Sequence, residues 1–215
     1  MTTRDVAGQQ WQLLVPVGST EQHGPHLPLD TDTRIAVAVA EGAASRVDGV
    51  LVAPVIPISA AGEHAGFAGT LSIGADALTE LLVEIVRTAG PEFERITVVN
   101  GHGGNSAAVR AAVEQCTYEG RRLQTWSPTH RGGDAHAGHT ETSVMLTVAP
   151  ETVRLELAEA GATTPLTELI DDLRLGGVAA VSPNGVLGDP RGANADEGAE
   201  ILATWIDEVV AMLRG

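Results

Sequence analysis

The pattern of apolar and polar positions predicts alternating strands and helices in the first half of the chain. Trp11 to Val17 is a short apolar run followed by glycine, which is typical of a buried strand. Thr33 to Val47 carries small and apolar residues at helical spacing. Leu51 to Ile58 is apolar and β-branched but contains Pro54 and Pro57, so it predicts a strand that is bent or lies at a sheet edge.

The second half continues in the same order. Leucine, isoleucine and valine recur at helical spacing from Asp76 to Ala89, with Asp76 as the expected N-cap. Arg95 to Asn100 is the clearest strand of the chain, and it runs into a Gly-rich turn and a further helix. Leu123 to Trp126 predicts another short strand. The last helix is expected to begin near Asn194, because Glu197 follows three residues later as in a capping box.

This alternation predicts an α/β fold, a layered α/β/α arrangement around a mostly parallel sheet. We find no internal repeat and no low-complexity tract. The segment 176–193 is rich in Gly, Pro and Asn, and we interpret it as a loop rather than a linker. We therefore expect one domain over residues 1–215.

Composition narrows the possible partners. The chain has 13 basic and 28 acidic residues, a formal charge of −15, which disfavours nucleic acid and anionic membranes. There is no apolar run of about 18 residues, so no membrane span is expected. The first residues lack the pattern of a secretion signal. The single cysteine, Cys116, cannot form an internal disulfide and is interpreted as an inert buried thiol, so we expect a cytoplasmic protein.

A short segment after the first strand concentrates metal-binding side chains. Residues 18–32 are too rich in Gly and Pro for a regular element, yet they contain Glu21, His23 and Asp32. Side chains two apart in an extended chain lie on one face, so Glu21 and His23 can converge. Asp32 can fold back through the intervening loop to meet them. Together they predict half of a metal site.

Two later segments supply the remaining candidates. His102 lies in the Gly-rich turn after the clearest strand, and ligands collect at the carboxyl ends of strands in α/β sheets. This turn lacks the Lys-Ser/Thr of a phosphate-binding loop, so we interpret its glycines as allowing close approach to a ligand. The third segment, residues 134–143, contains His136 and Glu141.

A structural role is the better interpretation of several neighbouring polar residues. His26 is expected to hold the Pro-flanked loop, and His130 to be a surface residue. Asp30 should stabilise a turn, since it points away if Asp32 points inward. Glu63 is expected to face solvent or to act indirectly rather than as a ligand. Packing is slightly favoured over substrate contact for Trp126.

Three motifs together resemble the creatininase family of metal-dependent amidohydrolases. They are GSTEQHGPHLPLDTDT from Gly18, NGHGGN from Asn100 and HAGHTETS from His136, and GVLGDP from Gly185 also fits. Several long motifs in fixed order make the likeness specific over nearly the whole chain. The resemblance implies an α/β fold that assembles into homo-oligomers.

The resemblance also implies a metal site with assigned residues. Two divalent ions (Zn, Fe or Mn) would be bridged by an aspartate and a water. The ligands carried over by position are Glu21, His23, Asp32 and His102, with Asp32 bridging. Creatininase itself takes a further ligand from a glutamate two residues after the turn histidine, where this chain has Gly104.

Two residues of the third segment complete the set. The resemblance makes Glu141 the natural substitute for the ligand missing at Gly104, as in family members with the Gly-Gly turn. His136 matches the family's proposed proton-donating histidine. Weaker candidates for substrate binding are His64, Phe67 and Trp126, which lie in or beside loops expected to face the site.

The implied reaction is hydrolysis of a C–N bond in an amide or peptide. Within the family, the chain most resembles peptidases that release a C-terminal modified dipeptide from a modified, ribosomally made precursor peptide. An alternative is a hydrolase of small cyclic amides, of creatinine or formamide type. A third possibility is a metal-holding scaffold subunit without activity, which the presence of His136 disfavours.

Overall fold

Four parallel strands in the order β2-β1-β3-β4 form the central sheet of the computed structural model, which describes residues 1–129 and 133–215. The strands are β1 (Trp11–Val17), β2 (Val50–Val52), β3 (Phe93–Asn100) and β4 (Leu123–Trp126). The helices are α1 (Thr3–Val6), α2 (Thr31–Ala44), α3 (Ala75–Thr88), α4 (Ser106–Tyr118), α5 (His139–Val148), α6 (Leu166–Val181) and α7 (Ala195–Arg214). Short 3-10 turns cover Gly62–His64, Gly103–Asn105, Pro150–Thr152 and Leu155–Leu157.

Helices cover both faces of the sheet, because successive strand residues point to opposite sides. Leu14 and Val99 lie in a core shared with α2, α5 and α7, while Val15, Val17 and Val98 lie in a second core with α3 and α4. Both faces of the central strands are therefore buried, as near-continuous apolar runs predict. The expected α/β/α layering and the parallel sheet are confirmed.

The strand order places a crevice at the carboxyl ends of β1 and β3. From β1 the chain passes through α2 to β2 on one side, and β3 and β4 then add on the other side. Ligands bind in α/β sheets where the strand order reverses in this way. The segments that follow β1 and β3 are the two that contain Glu21 and His102.

Several predicted boundaries were wrong. The helix expected from Thr33 begins at Thr31, and the cap of α3 is Gly74 rather than Asp76. The strand expected over residues 51–58 is limited to Val50–Val52, with one further bridge between Ile56 and Val17. Prolines 54 and 57 lack the N–H groups that a longer ladder needs.

The C-terminal third contains the largest difference. Residues 176–181 belong to α6 rather than to a loop, and the helix is kinked at Gly177, whose φ is 68°. The start of α7 is confirmed, because the Asn194 side chain accepts a hydrogen bond from the Glu197 N–H at 2.9 Å. The Asn194 N–H itself donates to Ser143 Oγ at 3.2 Å.

Three further sequence expectations concern a membrane span, His130 and Cys116. Among the described residues, no helix combines the length and apolar character needed to cross a bilayer. His130, expected to be a surface residue, lies outside the described residues. Cys116 is a buried free thiol on α4, and burial raises its pKa.

Candidate metal centre

The carboxylate of Glu21 is fully buried in the loop that follows β1. Its Oε2 accepts a hydrogen bond from Ser19 Oγ at 2.7 Å. Its Oε1 has no hydrogen-bond partner among the described residues, although His64 Nε2 lies 3.1 Å away. A buried carboxylate oxygen without a partner is costly, so this atom is placed to bind a cation.

His23 lies beside Glu21 with both ring nitrogens engaged. Its Nδ1–H donates to the Glu21 carbonyl at 3.1 Å, which leaves Nε2 facing Asp32 Oδ1 at 2.9 Å. Burial lowers the pKa of His23, but the charge and hydrogen bond of Asp32 and the charges of Glu141 and Glu21 together outweigh this effect, and the net pKa rises to about 10. In the metal-free protein, Nε2 therefore holds a proton in a position that a metal ion could take.

Asp32 lies between two imidazoles in the first turn of α2. Oδ1 contacts His23, and Oδ2 lies 3.1 Å from His102 Nδ1. Oδ2 nonetheless lacks a hydrogen-bond partner within the described ranges. Burial opposes ionisation, yet the charge of His23 and the contacts with His102 hold the pKa of Asp32 below its usual range. The two oxygens of this carboxylate therefore contact two different candidate ligands.

His102 reaches the site because the turn after β3 passes close to α2. A Cβ on Gly101 would overlap the Asp32 carbonyl, so only glycine allows this approach. His102 Nε2–H donates to the Ala60 carbonyl at 3.1 Å, while Nδ1 faces Asp32. The ring thus bridges the loop at residue 60 and the centre of the site.

Glu141 approaches the same site from the first turn of α5. Its Oε2 accepts a hydrogen bond from the Ala137 N–H at 2.6 Å and lies 3.9 Å from His23 Nε2. Burial and the neighbouring carboxylates Asp32 and Glu21 raise the pKa of Glu141 to about 7. Ala137 has φ of 51°, a conformation rare for residues with a Cβ, where the chain turns into α5.

His136 completes the cluster. Its Nε2–H donates to the Gln22 carbonyl at 2.9 Å, which leaves Nδ1 directed toward Glu21 Oε1 at 3.7 Å. Burial lowers the pKa of His136 well below its ordinary value, and the charges of His23 and His64 add to that effect. The ring is therefore neutral near pH 7 in the metal-free protein.

These side chains fit a metal centre. Within the described residues, three overlapping sets place one ligand atom per residue within 4.8 Å of one another. The sets are Glu21 with Asp32 and His102, His23 with His136 and Glu141, and Glu21 with His64 and His136. Two buried carboxylate oxygens without partners lie among them, and carboxylate with imidazole suits Zn, Mn or Fe.

The structure brings together all six principal residues expected from the sequence, and it adds two others. His64, expected only as a weak substrate contact, lies against Glu21. Gln22 was missed. Its side-chain N–H groups are placed to donate to His64 Nδ1 at 2.9 Å and to the Gly185 carbonyl at 3.0 Å, and its Oε1 accepts from Gly24. Its position between Glu21 and His23 was the available signal.

Two weak substrate candidates do not reach the site. Trp126 is buried in the core, where its ring meets Trp205 edge to face and its Nε1–H donates to Glu208. The side chain fills the core between sheet and helices and does not line the cavity beside the cluster, which agrees with the packing role that the sequence slightly favoured. Phe67 is half-buried and also does not line that cavity.

Three neighbouring residues, His26, Asp30 and Glu63, were expected to have structural or indirect roles. His26 is buried and shares a 2.8 Å hydrogen bond with Thr142 Oγ1, consistent with a loop-holding role. Asp30 points outward and accepts a hydrogen bond from Arg34. Glu63 borders the cavity and lies 3.2 Å from His102 Nε2.

A cavity of about 960 Å³ opens beside the cluster. Asp32, His102, His136 and Glu141 form part of its wall. The opposite wall is α6, and Arg110 and Arg174 also line the space; the α6 apolar residues are Leu166, Ile170, Leu173, Leu175 and Val178. The space is far larger than a single water molecule requires.

Comparison with known proteins finds a matching family model and several relatives. The family model described as creatinine amidohydrolase matches residues 1–213. The "Mycofactocin precursor peptide peptidase" of Mycobacterium ulcerans is 54% identical over 209 residues, covering 94% of this chain and 84% of that protein. The "Creatinine amidohydrolase" of Pseudomonas putida is 27% identical, covering 97% and 91%.

Solved structures show the same fold. A structure named "Creatininase Mn" superposes with a TM-score of 0.81 at 25% identity, covering 100% of this chain and 95% of the other. A mutant creatininase of "Zn-Zn type" gives the same TM-score, identity and coverage. The matched family model, the relatives and the shared fold together show that this chain belongs to the creatininase family.

Proposed function

We propose that this chain is a metal-dependent peptidase that releases a C-terminal modified dipeptide from a mycofactocin precursor peptide. The observation that carries the proposal is the convergence of Glu21, His23, Asp32 and His102 around two buried carboxylate oxygens without partners. The 54% identity to the M. ulcerans protein supports the substrate class.

The proposed ligands are Glu21, His23, Asp32, His102 and Glu141, with Asp32 between two divalent ions of Zn, Fe or Mn. Bound there, such ions would polarise the scissile carbonyl and lower the pKa of water. The protein fixes the ligands in advance, because the Glu21 carbonyl sets the tautomer of His23 and the Ala60 carbonyl sets that of His102. The names of the related creatininase structures, Mn and Zn-Zn, support this choice of metals.

His136 is proposed to move the proton. Its hydrogen bond to the Gln22 carbonyl fixes the ring and leaves the Nδ1 lone pair facing the cluster. The lowered pKa of His136 keeps this nitrogen able to accept a proton from the attacking water. The same atom can then donate that proton to the leaving nitrogen of the amide.

The cavity supports a peptide as substrate. Its volume of about 960 Å³ exceeds what a small cyclic amide needs, and α6 gives it an apolar wall. Arg110 borders it with no carboxylate of the described residues recorded in ion-pair range, so it is suited to a substrate carboxylate. Arg174 pairs at 3.7 Å with Asp171 on the exposed side of α6.

The proposal includes one domain over residues 1–215, assembly into a homo-oligomer and a cytoplasmic location. Apolar side chains exposed before α6 support self-association; they are Leu155 and Leu157. Sedimentation velocity of the purified protein tests the assembly. A monomer at micromolar concentration would contradict it.

Defined substrates separate the candidate functions. The metal-stripped protein is reloaded with Zn²⁺, Mn²⁺ or Fe²⁺ and incubated with modified precursor peptide or with creatinine and formamides, and products are identified by mass spectrometry. We expect loss of the C-terminal dipeptide and no turnover of the small amides. Turnover of small amides alone would instead favour the cyclic-amide hydrolase, and no turnover with any metal would favour the scaffold.

A further inference from the structure

The space beside Gly104 is filled by a carboxylate from another loop. A Cβ built on Gly104 would overlap Glu63 Oε1 and His102 Nε2, and it would lie 2.8 Å from the Ala60 carbonyl oxygen. No side chain at position 104 can coexist with the present position of Glu63. The chain therefore has a glycine where the Glu63 carboxylate needs room.

Glu63 meets Nε2 of His102. Its Oε1 lies 3.2 Å from this nitrogen, which donates to the Ala60 carbonyl and also lies 3.1 Å from Glu21 Oε2. The other nitrogen, Nδ1, faces Asp32 at the centre of the site. Glu63 belongs to none of the three ligand sets found among the described residues, so it contacts a candidate ligand without joining the ligand cluster.

The loop that carries Glu63 is held in place by α6. Glu63 lies in the 3-10 turn Gly62–His64, and Gly177 of α6 packs directly on its backbone. A Cβ on Gly177 would come within 2.6 Å of the Glu63 carbonyl oxygen. The next residue of the turn, His64, is tied to Gln22 by a 2.9 Å hydrogen bond. These contacts fix the backbone of Glu63, while its side chain is 32% exposed toward the cavity.

We propose that Glu63 is a positioning residue that, together with the Ala60 carbonyl, holds the ring and tautomer of His102 from the space that Gly104 leaves open. A carboxylate accepting the outer N–H of a histidine ligand fixes the ring orientation and increases the basicity of the other nitrogen. The proposal rests on the metal site described under the proposed function. It differs from the expectation that Glu141 alone compensates for the missing ligand.

Metal affinity provides the first test. Zn²⁺ dissociation constants of the metal-stripped full chain are measured by competition with a chromophoric chelator for the wild type, Glu63→Ala, Glu63→Gln and Glu114→Gln. Outer partners of histidine ligands typically contribute 10–100-fold to metal affinity, so we expect that loss for Glu63→Ala. Glu63→Gln keeps an acceptor oxygen and should recover part of it. Glu114 is exposed on α4, so its variant is the matched loss of charge and should bind like the wild type.

The outcomes distinguish this inference from the metal site itself. Wild-type affinity in both Glu63 variants would overturn the role of Glu63 and leave the site intact. Absence of Zn²⁺ binding by the wild type would instead overturn the proposed function and this inference with it. Should Glu63→Ala fail to fold, Glu63→Gln carries the test, and wild-type affinity there overturns the role of the charge.

A spectroscopic test follows the proton directly. With Co²⁺ bound, ring N–H protons of histidine ligands give shifted proton NMR signals. We expect the His102 Nε2–H signal, assigned from its nuclear Overhauser contacts in protein labelled with nitrogen-15 histidine, to exchange with water faster in Glu63→Ala than in the wild type. An unchanged exchange rate would contradict the contact, whereas a general loss of stability would accelerate all ligand N–H signals alike.

Discussion

Replacing Asp32 by Asn in the metal-free protein should lower the free energy of unfolding by the contribution of its carboxylate contacts with the two histidines. Asp32 Oδ1 lies 2.9 Å from His23 Nε2, and both side chains are at most 2% exposed. Removing one partner of a buried ion pair leaves the other charge uncompensated, which costs about 3–5 kcal/mol. The substitution keeps the shape of the side chain, so little of that loss comes from packing.

The pH dependence of this loss follows from the two pKa shifts. The folded-state pKa of His23, about 10, lies above its ordinary 6.5, so its contribution is complete below pH 6.5 and disappears as the pH rises toward 10. Asp32 has its pKa lowered from 3.8, so its contribution is lost only in acid. The stability difference between wild type and Asp32→Asn should therefore be largest between pH 3.8 and 6.5 and decline above that range.

Urea unfolding of EDTA-treated protein, followed by far-UV circular dichroism from pH 5 to 9, measures this difference. Asp30→Asn is the matched control, since Asp30 is two positions away and pairs with Arg34 at the surface. Its effect should stay below about 1 kcal/mol and vary little with pH. A loss below 1 kcal/mol for Asp32→Asn, or one that does not change with pH, would refute the assignment of a buried ion pair.

Four further substitutions test the remaining roles. His136→Gln should keep the metal content and lower kcat by about 10²–10⁴-fold, as expected for a lost proton carrier, and loss of metal would contradict that role. Glu141→Gln should lower the metal content measured by mass spectrometry, and unchanged content would mean that Glu141 is no ligand. Arg110→Gln should raise KM for a peptide with a free C-terminal carboxylate but not for its C-terminal amide; equal effects would exclude carboxylate recognition. Trp126→Phe should leave kcat/KM within about twofold, because the ring lies in the core, and a larger loss would return it to the substrate site.

The sequence predicted those parts of the site that depend on local geometry. Glu21 and His23 lie two apart and both face the cluster, as extended backbone requires. His102 follows a buried strand, so the carboxyl edge of a parallel sheet was enough to place it near them. Asp32 could be placed because the loop before it is short.

Site residues that are positioned by the packing of distant segments could not be predicted from the sequence. Glu63 and His64 face the site because α6 and Gln22 hold their turn, and neither contact has a local pattern in the sequence. Trp126 illustrates the opposite case. It is the last residue of β4, shortly before the segment that contains His136. The alternation of side chains along the strand nevertheless directs its ring into the core with Leu14.

Tertiary packing also explains why residues 176–181 were predicted as a loop although they belong to α6. The segment of α6 contains two adjacent glycines, which locally favour a loop. In the fold, Gly177 adopts φ of 68° and lets the kinked helix rest on the backbone of Glu63. Tertiary packing thus overrides the local preference at the point where α6 borders the cavity.

The central claim is a site for two divalent ions built around the Asp32 carboxylate. Anomalous X-ray diffraction at the Mn or Zn edge, on crystals of protein loaded with that metal and active on precursor peptide, tests it most directly. We expect two peaks, one beside Glu21, Asp32 and His102 and one on the His23 side of Asp32. Peaks away from Asp32, or no peak in crystals of active protein, would contradict the claim.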